Sequence, residues 1–79
     1  MKQRVFDGDR CRELRVNAGL TAKDLAEAVS KSGVSVTESA VCRWERKERV
    51  PRPGRLFALA RALGTTPEQL LVERQADAA

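Results

Sequence analysis

The chain predicts an all-α fold, a compact bundle of five short helices in one domain. Three observations point there. Apolar residues recur at helical spacing, as in Leu25, Ala26 and Val29, and again in Leu56, Leu59, Ala60 and Leu63. Start and stop signals alternate along the chain: Asp7, Thr21, Thr37 and Thr66 have side chains that accept from the free N–H groups of a first helical turn, and Gly19, Gly33 and Gly64 close the runs. No internal repeat and no strand-like alternation competes with this reading.

Residues 1–5 read as a flexible N-terminal arm whose Lys2 and Arg4 are solvated or touch phosphate, the solvated reading being the plainer, and the domain occupies residues 6–73. Helix 1, over 8–18, starts where Asp7 can cap and Asp9 favours the positive end of the helix dipole. Phe6 staples onto Cys11, Leu14 points inward, and Gly19 suits the left-handed residue past the end. Helix 2, over 22–31, has Thr21 as cap, Asp24 reaching back to close a capping box, and Leu20 stapled onto Leu25. Ala26 is small enough for a crossing helix to come close, and residues 30–35 make the turn that follows.

Helix 3, over 38–46, has two faces. At about 100° per residue Val41 and Trp44 fall on one side, and Ser39, Cys42, Arg43 and Arg46 on the other. One face can bury in a core while the other is small, polar and cationic. Such a face suits a DNA major groove, but an ordinary solvated amphipathic helix presents one too. Pro51 and Pro53 break the chain, and Pro53 suits the first position of helix 4, over 53–63. Thr66-Pro67-Glu68-Gln69 opens helix 5, over 67–73, with Thr66 as cap and Gln69 completing the box. Residues 74–79 are expected to form a disordered tail.

Composition narrows the function. Seventy-nine residues bury a modest core, about 60% of the unfolded chain's surface, and leave no room for a large catalytic cleft. No apolar run approaches the roughly 20 residues of a membrane span, and no signal peptide is visible, so the expectation is a cytoplasmic, nucleoid-associated protein. Histidine is absent and Cys11 and Cys42 are far apart, which argues against a metal site, a His-based triad or a cofactor. The carboxylates follow capping and ion-pair logic, so an enzyme is not expected. The Arg and Ala content suggests a GC-rich bacterial or phage genome.

The net charge of +4 is local. Between residues 43 and 55 lie Arg43, Arg46, Lys47, Arg49, Arg52 and Arg55 against only Glu45 and Glu48, and the remaining charges cancel. A polyanion partner is the direct physical reading, with a solubilising loop as the plainer one.

Leu20-Thr21-Ala22-Lys23-Asp24-Leu25-Ala26-Glu27 resembles the second-helix start of the phage repressor/Cro-type (XRE) helix-turn-helix family. Val41-Cys42-Arg43-Trp44-Glu45-Arg46 resembles the end of its recognition helix. Leu56 to Gly64, then Thr66-Pro67-Glu68-Gln69-Leu70-Leu71, resembles its fourth and fifth helices. The resemblance implies a lambda-repressor-like fold with helix 3 in the major groove. It implies base-facing places for Glu38, Ser39, Cys42 and Arg43, phosphate-anchoring places for Ala22 and Lys23, and an ion pair between Arg15 and Glu45. Three departures stand out: Ala22 where Gln is usual, a turn about five residues longer than usual before helix 3, and Lys47 in place of Gly.

The leading expectation is a sequence-specific, repressor-like regulator of transcription bound to double-stranded DNA. Arg43 would read guanine, and Arg46, Lys47, Arg49, Arg52 and Arg55 would hold phosphates. Glu38 is read first as favouring the helix N-terminus and second as accepting from cytosine. A homodimer, formed in solution or only on DNA, would use Leu70, Leu71 and Val72 to read a palindromic operator; no membrane and no small-molecule ligand is implied. The alternative is a protein-interaction module, such as an antitoxin or accessory subunit, on the same fold.

Overall fold

The computed structural model describes residues 2–75. Strand β1 (Lys2–Phe6) leads into α1 (Gly8–Asn17), α2 (Ala22–Ser30), α3 (Glu38–Glu45) and α4 (Pro53–Ala62). A 3-10 turn (Pro67–Leu70) then delivers the chain to β2 (Leu71–Gln75). The four α-helices lie within one residue of their expected spans. In each case the extra residue expected at the end, Ala18, Lys31, Arg46 or Leu63, is the C-cap.

The start signals act as local chemistry requires. Asp7 Oδ1 accepts from Asp9 N–H at 3.0 Å, and Thr37 Oγ1 accepts from Ala40 N–H at 3.1 Å. At α2 the capping box is reciprocal: Thr21 Oγ1 accepts from Asp24 N–H at 3.0 Å and Asp24 Oδ2 accepts from Thr21 N–H at 3.1 Å. The Thr21 backbone N–H foremost, and its side chain next, hold the Asp24 carboxyl below the usual carboxylate range.

The core gathers one stripe from each helix. Cys11, Leu25, Val29, Val41, Leu59 and Leu70 are fully buried, with Trp44 and Ala26 nearly so. α2 lies between α3 and α4, and α1 closes over α3. Burial pushes the Cys11 thiol up to about 12, with Glu45 adding to the rise and Arg15 opposing it. Cys11 is a packing residue, because the reactive form of a thiol is the thiolate.

Both ends of the chain differ from expectation. Residues 2–5 of the expected arm belong to β1, the first residue lying outside the described residues, and helix 5 is a 3-10 turn followed by strand β2. The two strands pair antiparallel: Phe6 lies opposite Leu71, Val5 opposite Val72, and Arg4 opposite Glu73. The pairing explains why the helix stops. Leu70 is drawn fully into the core, and an extended continuation puts Leu71 and Val72 beside apolar partners on β1 while satisfying the backbone of both ends. Asp7 N–H extends the contact by donating to the Leu70 carbonyl at 2.9 Å. Thr66 makes no side-chain cap; instead Thr65 Oγ1 donates to Gln69 Oε1. Residues 74 and 75 belong to β2, and the rest of the expected tail, 76–79, lies outside the described residues. The fold class stands, with four α-helices and a small sheet in place of five helices.

Candidate nucleic-acid interface

α3 is the element to which the site is attached, and its two neighbours set its pose. Gly8, at the start of α1, sits against the last turn of α3. A Cβ at Gly8 would collide with the Trp44 carbonyl oxygen and lie 3.0 Å from that of Glu45. The absence of a side chain lets the positive end of α1 rest on carbonyls at the negative end of α3, a favourable alignment of dipoles.

Arg15 of α1 and Glu45 of α3 meet in a bidentate pair. Arg15 Nε donates to Glu45 Oε2 at 2.7 Å and Nη2 to Oε1 at 3.0 Å. The remaining Nη1 donates to the Leu20 carbonyl at 2.8 Å, so the guanidinium is tied to both its neighbours. The two side chains are only 15% and 9% exposed. The hydrogen bonds to Glu45 raise the Arg15 pKa further above its ordinary value. This pair explains why an acid stands inside the most basic segment: Glu45 serves the architecture.

The end of α3 is a Schellman motif. Glu48 N–H donates to the Arg43 carbonyl at 2.9 Å and Lys47 N–H to that of Trp44 at 3.2 Å. α1 and α4 end the same way with glycine, Gly19 at φ 74° and Gly64 at φ 69°. Here Lys47 takes the left-handed position at φ 68°. Its Nζ lies 2.8 Å from Asp9 Oδ2, which ties the cap back to α1.

With Val41 and Trp44 inward, α3 turns Glu38, Ser39 and Arg43 to solvent, and Cys42 is half-buried at the edge. A groove of about 460 Å³ runs along the Arg43 side, and Arg49, Arg52 and Arg55 reach into it from the loop and the start of α4. Its floor is Val36, Ala40, Trp44 and Pro51, with the exposed Val50 at its rim, and no carboxylate lines it among the described residues. A smaller cleft, of about 280 Å³, on the opposite side holds Arg12, Arg15, Cys42, Glu45 and Arg46. α3 is thus bordered by guanidinium groups on both sides, a geometry that can hold two lines of anionic charge with a helix between them.

Arg12 escaped sequence reasoning, although a signal was present. It lies one turn before Arg15 on α1, so the Arg15–Glu45 pair brings it to the same edge of α3. Arg46 and Lys47 are exposed at the end of α3, with Arg46 only loosely paired to Glu48 at 3.9 Å. Lys23 is exposed at the start of α2, while Ala22 is half-buried against the core. Of the residues expected at a dimer face, Leu70 is fully buried and is corrected to a core residue; Leu71 is half-buried and Val72 is 39% exposed.

The long turn before α3 is ordered by its own side chains. Ser30 Oγ donates to the Val36 carbonyl at 3.1 Å and accepts from Val36 N–H at 3.2 Å, and Ser32 Oγ donates to the Val29 carbonyl at 2.6 Å. Val36 is buried at its foot.

Two consecutive helices, the second with an outward cationic face, define a helix-turn-helix protein. The helix-turn-helix family profile matches residues 12–70, and the chain belongs to that family, in its XRE branch. No curated protein sequence matches the chain. Among solved structures it is similar to the P22 c2 repressor in complex with a synthetic operator, at 32% identity and a TM-score of 0.71 over 80% of this chain and 88% of that one. It is also similar to the solution structure of the DNA-binding domain of the P22 c2 repressor, with the same identity and TM-score over 80% of this chain and 76% of that one. Among the described residues no helix is long and apolar enough to cross a membrane.

Proposed function

We infer that the protein is a sequence-specific regulator of transcription, repressor-like, that binds double-stranded DNA with α3 in the major groove. The observation that carries this reading is the flanking of α3: an acid-free groove of arginines on its Arg43 side and Arg12 with Arg46 on the other. The similarity to a repressor solved with its operator supports it independently. Arg43 is assigned to a bidentate contact with guanine, with Glu38, Ser39 and Cys42 beside it at the bases. Arg12, Lys23, Arg46, Lys47, Arg49, Arg52 and Arg55 are assigned to phosphates, and the exposed helix-2 start lets Lys23 and backbone N–H groups replace the side chain that Ala22 lacks.

One helix reads few base pairs, so the regulator is assigned to a two-fold dimer reading half-sites about 34–36 Å apart in a palindromic operator. With Leu70 in the core, Val72 is the residue of the expected face left most open to a second copy. Selection from a random DNA pool, followed by titration at several salt concentrations, tests the whole reading. A two-fold symmetric consensus with steeply salt-dependent affinity is expected. An unenriched pool, or binding indifferent to salt, would overturn it.

A further inference from the structure

A second cleft, of about 430 Å³, opens between β1 and the start of α1 on one side and the segment 47–51 on the other. Its apolar lining includes Phe6, Leu56 and Leu71, each only half-buried by the chain itself. Arg4 and Arg49 bring positive charge to it, and Lys47, whose Nζ is held 2.8 Å from Asp9 Oδ2, stands beside them. The one carboxylate in the lining, Asp7, is already engaged by the Asp9 N–H at 3.0 Å. A concave apolar chamber of this size with a few convergent charged groups has the form of a small-molecule site.

The lining selects the chemistry. Excess positive charge favours an anion, while three partly wet apolar side chains favour a hydrocarbon or aromatic body over a sugar acid or polyphosphate, which would leave them uncovered. A second copy of the chain is assigned to the face of Val72, and Val72 does not line this cleft. The cleft also has a consequence for α3. Arg49, Val50 and Pro51 line both this cleft and the arginine groove beside Arg43, so one short segment is the wall between them.

We propose that this cleft binds a small amphipathic carboxylate, and that its occupation weakens DNA binding by drawing Arg49 toward the ligand. The second half rests on the DNA-binding reading above; the binding site itself does not. Arg4 supplies charge from the β1 side of the cleft and is not itself among the residues assigned to phosphate, so it separates the two halves.

The test uses sodium decanoate below its micellar range, with decanol as the uncharged control. Backbone amide shifts are followed by NMR on the intact protein without DNA. Saturable shifts confined to residues 4–8, 47–51, 56 and 71 are expected, with decanol several-fold weaker. Arg4→Gln should weaken decanoate about three- to tenfold while keeping the wild-type amide spectrum elsewhere. Operator affinity should then fall in step with decanoate occupancy, and less so in Arg4→Gln. Shifts that do not saturate, or decanol binding as well as decanoate, would sink the site. Saturated protein that binds operator as tightly as free protein would sink the coupling. Decanoate binding by a protein that binds no DNA sequence at all would leave the site and remove the DNA reading instead.

Discussion

The two ends of α3 are held in different ways. The C-terminal end is fastened by three contacts from α1: Gly8 lets the helix rest on its last carbonyls, Arg15 grips Glu45 with two hydrogen bonds, and Asp9 reaches Lys47. The N-terminal end hangs from a seven-residue connection, 31–37, closed by Ser30 on Val36 and by the Thr37 cap. Rigid fixation belongs where the angle of the helix across the domain is decided. The other end carries Glu38 and Ser39 and is held by neutral hydrogen bonds of about 1 kcal/mol each. The orientation of α3 is therefore set at one end, and the fine placement of its first residues at the other. Substitutions at the first end are expected to act on folding, and at the second mainly on sequence preference.

The largest effect is expected at Trp44, which is 4% exposed and supplies the carbonyl against Gly8. Trp44→Ala should cost about 3–5 kcal/mol and leave a small domain largely unfolded or loosened. Thermal melting with amide exchange checks this. An unchanged melting temperature with lost DNA binding would mean that the ring reads bases and that the C-terminal end is not the anchor.

Next is the Arg15–Glu45 pair. Removing one partner strands the other in a place only 9–15% exposed. Arg15→Met or Glu45→Leu alone should cost about 2–4 kcal/mol, somewhat less than a wholly dry pair, and the double variant should recover much of that loss. A double-mutant cycle without coupling energy would show that the bidentate geometry contributes nothing to the anchor.

Arg43 lies between the two ends and should move binding while leaving stability alone, since its side chain is exposed. Arg43→Ala is expected to cost about 1–3 kcal/mol on the preferred operator and to relax one base position. Equal losses on operator and random DNA would reassign it to phosphate.

Sequence legibility follows the same division. The four α-helices could be read because caps, boxes and apolar spacing are local, and each works within a few residues of the signal, as Thr21 with Asp24 does. The Arg15–Glu45 contact was legible only through the spacing along each helix together with family resemblance, because nothing local links α1 to α3. The β1–β2 ladder was not legible at all. Its pairs, such as Arg4 with Glu73, join residues near opposite ends of the chain, and Leu71-Val72 carries no alternation long enough to outweigh the helical start at Thr66-Pro67. The basic segment was plain from charge, but Arg12 entered the site only when folding brought α1 beside α3.

At the N-terminal end, Thr37→Ala removes the hydroxyl that accepts from Ala40 N–H and should cost about 1 kcal/mol. Its effect on preference at the bases assigned to Glu38 and Ser39 should exceed what the stability loss explains. Selection of sites for the variant checks this. A consensus identical to wild type would mean that the N-terminal end is as firmly placed as the other.

The smallest effect sharpens the comparison by changing sign. Lys47 holds a left-handed conformation at φ 68°, where the two equivalent helix ends use glycine. For an L-residue this conformation costs roughly 1–2 kcal/mol, and glycine escapes it at the expense of a more flexible unfolded chain. Lys47→Gly also gives up the exposed contact with Asp9, with side chains 55% and 73% exposed, a class of pair contributing about 0–1 kcal/mol. The balance is a gain of about 0.5 kcal/mol in stability, together with weaker DNA binding and a salt slope reduced by about 1, as for any lost phosphate contact. Lys47→Ala separates the two contributions, because it loses the charge but keeps the strain: it should bind DNA as weakly as the glycine variant and melt below it. If the glycine variant melts lower than the alanine variant, the left-handed cap is not strained, and the C-terminal end of α3 is held by Gly8 and the Arg15–Glu45 pair without any tension at Lys47.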